Sequence, residues 1–193
     1  MPISYGTWQV YPWKNELATQ SGRVAVHYSE LLDDDFQGEH SPLDMLDRAI
    51  VLSGFAIRRM FEKRLVADKL RNVEIAVRTF SAKHTEMFRS PYVSDSGGMA
   101  FQNYNFEVAE MKPLKIADLA NEIIHASQLM FVDKEQMIST GLLIASDWHL
   151  RHRLLHITID EFTAVVKIVL DDFVRSTRDE WDHEKGTVRA TRE

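Results

Sequence analysis

Cysteine is absent from all 193 residues. That excludes a disulfide framework, thiolate zinc sites and a cysteine nucleophile, and it is compatible with a reducing cytosol. Long apolar runs are missing as well. The longest, AIVLSGFAI (49–57), is about half of what a bilayer crossing needs and is followed by arginines, so no membrane partner is expected. The first thirteen residues, MPISYGTWQVYPW, lack the charged and then apolar regions of a secretory leader, and a cytoplasmic setting is expected. No P-loop, G-x-G-x-x-G, G-x-S-x-G or H-E-x-x-H occurs, and no repeat or low-complexity tract. The formal net charge of −6 argues against nonspecific nucleic-acid binding by the whole chain, while a local basic patch is still allowed.

What is present is ordinary for a globular protein: 45% apolar and 27% charged residues. At this length folding buries roughly 70% of the unfolded surface, so no metal or disulfide staple is needed. Residues 13–33 place Trp13, Leu17, Val24, Tyr28 and Leu31 at loosely helical spacing, before the polar connector DDDFQGEHSP (33–42). Ser41 as N-cap, Pro42 as N1 and Asp44 at N3 then mark a helix start. Leu46, Ile50, Ile57, Phe61 and Leu65 give it a buried face over about 42–70, and Gly54 interrupts that face where a close helix crossing fits. NVEIAVRTF (72–80) alternates with period two and predicts a strand. RSPYVSDSGG (89–98) reads as a loop, and MAFQNYNFEVAEM (99–111) as a strand with Tyr104, Phe106 and Val108 on one face.

Lys112 and Pro113 lead into a predicted helix over 114–128. Ile116, Leu119, Ala120, Ile123 and Ala126 fall on its apolar half; Asp118, Asn121, Glu122 and His125 fall on the solvated half. GLLIASD (141–147) predicts a strand. TIDE (158–161) is a capping box, with Ile157 and Phe162 as its hydrophobic staple, and Phe162, Val166, Val169 and Phe173 continue the stripe. HEKGTVRATRE (183–193) has no apolar periodicity and is expected to be a flexible tail on a single domain spanning 1–182. The expected class is α+β: three to four helices packed with a small, mainly antiparallel sheet.

SDWHLRHRLLHITIDEF (146–162) carries three of the eight histidines. A helix starting at 159 leaves 151–157 as the second arm of a hairpin with 141–147, turning near Asp147 and Trp148; the alternative is one helix running through both segments. In a strand His152 and His156 share a face but lie roughly 13 Å apart at about 3.3 Å per residue. Zinc–nitrogen bonds of about 2.1 Å rule out direct chelation of one ion by that pair, so no metal or other cofactor is expected. A polar hairpin face at a surface accounts for the stretch without any ligand.

Two resemblances touch the same residues. HEPN-type ribonucleases carry Arg, a polar residue and then His on a helix, and RHRLLH (151–156), RDEWDH (178–183) and RTFSAKH (78–84) resemble that pattern. The resemblance implies a metal-independent ribonuclease with His as general base on a ribose 2′-hydroxyl and Arg stabilising the phosphate charge. NEIIHAS with SDWHLRHRL resembles a pattern of uncharacterised bacterial proteins, a helix ending in Ile-His before a Ser-Asp hairpin, which implies a family and no activity.

Two functions are thus expected from different classes. The first is a non-enzymatic interaction or accessory domain that pairs with itself or with another protein. The second is an RNA-directed enzyme or RNA binder with Asn121, His125, Arg151 and His156 as catalytic residues and Trp148, His152 and Arg153 as binding residues. Asp118 could orient His125, and Trp148 could stack on a base.

Overall fold

The computed structural model describes residues 5–83, 103–132, 140–184 and 186–193. The chain begins with α1 (Tyr5–Leu31) and α2 (Pro42–Glu62). α1 turns Leu17 and Val24 into the interface with α2, and Trp13 meets Phe55 edge-on at 5.9 Å. The expected cap of α2 forms: the Asp44 amide donates to Ser41 Oγ at 3.4 Å. The helix ends at Glu62, short of residue 70, and a 3-10 turn (Asp68–Asn72) follows. No glycine or proline marks that stop; Arg64 itself takes the left-handed conformation, with φ 53°.

Next come β1 (Glu74–Ser81), β2 (Glu110–Lys115), α3 (Ile116–Ile124), β3 (Ala126–Val132), β4 (Gly141–Ser146), β5 (Arg153–Ile157) and α4 (Ile159–Asp171). A final hairpin, β6 (Thr177–Asp182) with β7 (Thr187–Arg192), closes the described chain. The five-stranded sheet is antiparallel throughout, in the order β2-β1-β5-β4-β3. The architecture is α+β, as expected, in one domain. Among the described residues no helix is long and apolar enough to cross a membrane.

Strand alternation divides the core between the two faces of the sheet. Val77, Leu142, Ile144, Leu155 and Ile157 pack toward the helices. Phe80, Leu143, Ala145 and Leu154 pack on the other face with Tyr104, whose hydroxyl donates to the Leu150 carbonyl at 2.6 Å. All six residues of β4 are buried as a result. α3 crosses α2 at Gly54, where an added Cβ would stand 2.9 Å from Ile123 Cγ2. The glycine that interrupts the apolar face of α2 therefore leaves the room that Ile123 of α3 occupies.

Several boundaries differ from the sequence expectations. The predicted loop 89–98 lies outside the described residues, as do 99–102. Within 103–109 the one strand-type pairing is an isolated bridge, Ala82 with Tyr104, and the strand starts at Glu110. Pro113 is in β2 and does not open a helix; β2 is an edge strand, where a missing N–H is tolerated. α3 is accordingly shorter than 114–128, and β3 takes over at Ala126. Phe173 leaves the stripe because the chain turns extended at Asp172, and its ring is 67% exposed. The segment 183–193 is not a frayed tail: Thr187–Arg192 pairs along its whole length with Thr177–Asp182.

Candidate functional site

The capping box governs the local geometry. Thr158 Oγ1 accepts from the Glu161 amide at 3.1 Å, and Glu161 Oε2 accepts from the Thr158 amide at 2.8 Å. Ile157 and Phe162, the expected staple, are both buried. Residues 153–157 are thereby held as a strand, and β4 with β5 forms the expected hairpin; one continuous helix is excluded. The connecting turn carries Asp147, Trp148, His149, Arg151 and His152.

The turn packs against the last turn of α3. Glu122, placed by its helical period on the solvated half, is only 4% exposed. Its Oε1 accepts from His149 Nδ1 at 2.6 Å and from Arg153 Nη2 at 2.7 Å. Burial works against the ionised carboxylate, yet hydrogen bonds from Ser146 and Arg153 and the charges of His149 and Arg153 outweigh it, and its pKa lies below the ordinary value. One turn later His125 caps α3. Arg58 Nη1 donates to its Nε2 at 2.8 Å, and Trp148 packs against its ring, tilted by 43°, at 4.5 Å between centroids. A guanidinium has no lone pair, so Nε2 is the acceptor and the neutral ring carries its proton on Nδ1. Trp148 keeps 60% of its surface open, and Ser127 Oγ donates to the Asp147 carboxylate beside it.

The sequence-derived residues are brought together only in part. His125 meets Trp148, and Arg153 enters the Glu122 cluster. Asn121 reaches His125 only through the helical backbone bond from the His125 amide. Arg151 and His152 are exposed in the turn, whereas His156 is fully buried on the face opposite the helices, 6.5 Å from the Phe80 ring. The stretch is therefore not a polar surface face: Leu154, Leu155, His156 and Ile157 are all core, because both sides of the sheet are covered. RHRLLH runs from turn to strand and RDEWDH lies mostly in β6; His84 of RTFSAKH is outside the described residues.

No protein-family model, curated protein or solved structure matches the chain.

Sequence reasoning missed Glu122, Arg58 and His149 as members of the cluster. Glu122 and His125 are three apart on one helix, which places them on one face. Nothing local announces Arg58, which comes from α2.

A second surface stands out at the C-terminal hairpin. Trp181 faces Val188 across the two strands, and they are 56% and 54% exposed. The hairpin is tied to the body where the Arg192 amide donates to the Asp68 carboxylate at 2.8 Å. Alternation puts Asp179 and Arg192 on the same face as Trp181, and the two are ion-paired at 2.8 Å.

Proposed function

We propose that the chain is a non-enzymatic interaction domain that self-associates through the β6–β7 hairpin. The observation that carries this is the Trp181–Val188 pair, apolar, cross-strand and open to solvent. A hairpin of two strands alone is marginal in water. A second copy laid on the same face would bury both pairs in a two-fold contact, with Trp181 as anchor and the Asp179–Arg192 pair at the rim. The α3 cluster supports the non-enzymatic half of the proposal. His125 Nε2 is occupied by Arg58, His156 is buried, and Arg151 lies apart in the turn, so neither of these two histidines is placed with Arg151 as a general base.

Size-exclusion chromatography with light scattering over a concentration series tests it. The wild-type protein is expected to move from monomer to dimer mass as concentration rises. Trp181→Ser/Val188→Ser is expected to stay monomeric throughout, with an unchanged circular dichroism spectrum. A wild-type monomer at every concentration sinks the proposal.

A second reading, RNA binding at the β4–β5 turn, is favoured by the open ring of Trp148 next to Arg151 and His152. Single-stranded RNA is then expected to quench tryptophan fluorescence, more weakly as salt rises, and not in Trp148→Ala. Quenching that survives in this variant counts against it.

A further inference from the structure

A cavity of about 140 Å³ lies where α1, the end of α2 and the base of the hairpin meet. Leu65 and Phe173 form part of its apolar wall, and Lys14, Arg64, Arg175 and Arg192 supply its cations. Two of these are engaged. Lys14 Nζ donates to the carbonyls of Leu170 and Asp172 and stands 4.0 Å over the Phe173 ring; Arg192 Nη1 donates to Asp179 at 2.8 Å. Among the described residues, the one carboxylate in the lining is that of Asp172, which is turned inward to accept from the Ala67 amide at 2.8 Å. Arg64 and Arg175 have no ion pair among the described residues. Lys14 faces Asp171 and Asp172, and Arg192 is paired with Asp179, so Arg64 and Arg175 are the cations that the lining offers an incoming anion.

The backbone adds an independent observation. Arg64 closes α2 in a Schellman motif: its amide donates to the Phe61 carbonyl at 3.1 Å, and the Leu65 amide donates to the Met60 carbonyl at 2.8 Å. That left-handed position suits glycine, because a Cβ there is strained. Among the described residues Arg64 is the one non-glycine with positive φ. A strained residue whose side chain lines a cavity points to a role for that side chain.

We infer that this cavity binds a small organic anion, a carboxylate or phosphate with a short apolar group. Arg64 and Arg175 take the charged head, whose oxygens match the guanidinium fork; Leu65 and Phe173 meet the apolar end. The site borders the Trp181 face through Arg192, while the groups assigned to the ligand, Arg64, Leu65, Phe173 and Arg175, lie outside the β6–β7 hairpin.

Calorimetric titration and thermal melting of the full chain test it with butyrate, phenyl phosphate and inorganic phosphate, and with butyramide as the uncharged counterpart. At least one organic anion is expected to bind saturably and raise Tm, and butyramide to do neither. Arg175→Ala and Arg64→Gly are each expected to weaken binding by about tenfold or more. Arg64→Gly, relieved of the left-handed strain, is expected to melt higher than wild type without ligand, which separates lost binding from lost fold. Absence of saturable binding by both organic anions, or equal affinity in both variants, overturns the assignment. Inorganic phosphate binding as tightly as the organic anions overturns its apolar half.

Discussion

Glu122→Ala is expected to lower folding stability by about 3 kcal/mol, the scale of breaking a buried ion pair. The carboxylate is almost fully enclosed and meets His149 and the Arg153 guanidinium at once through one oxygen. Removing it leaves the inner part of Arg153 without a counter-charge and cuts the link between α3 and the β4–β5 turn. Because hydrogen bonds and cations hold the folded pKa of Glu122 below its ordinary value, its ionised form stabilises the fold above about pH 4.5. That contribution is lost as pH falls through the lower folded value. Glu161, held down by the Thr158 and Arg78 bonds against its own desolvation, acts with the same sign. Urea denaturation at pH 7 and through an acid series measures both points. Glu122→Gln should flatten the acid dependence, and a Glu122→Ala protein within about 0.5 kcal/mol of wild type would show the network to be dispensable.

Gly141→Ala should also be severe, at about 3 kcal/mol, near the upper end for overpacking. A Cβ at this position would stand 2.5 Å from the Ile157 carbonyl oxygen, 2.7 Å from His156 Nε2 and 3.0 Å from the Thr158 Cα. Two of those neighbours are backbone, and they lead directly into the capping box. Relief of the clash must therefore displace the first turn of α4. Hydrogen exchange should quicken at the Glu161 amide in the variant, together with a lower denaturation midpoint. Wild-type exchange and midpoint together would show that the strand end yields without cost.

The elements legible in the sequence are those specified by neighbouring residues. Ser41-Pro42 and Thr158–Glu161 announce helix starts because a cap is a local bond, and Val73, Ile75 and Val77 reveal β1 by alternation. What was hidden depends on distant partners. The burial of Glu122 is set by Arg153 and that of His156 by the closed second face of the sheet, and no helical wheel contains either. Arg58 reaches His125 from another helix, so the candidate set omitted it. β7 escaped notice because TVRATR has no apolar stripe; its partner strand makes it regular. Pro113 suggested a helix entrance only because nothing in the sequence says that β2 is an edge.

The sheet order has a consequence for synthesis. β1 lies between β2 and β5, and Arg78 pairs with His156. A chain growing from its N-terminus therefore carries one unsatisfied edge of β1, with Phe80 uncovered beside it, until nearly the whole domain has left the ribosome. Completion of β5 closes that edge late, and α4 then adds Phe162, Val165, Val166 and Val169 to the helix-side core.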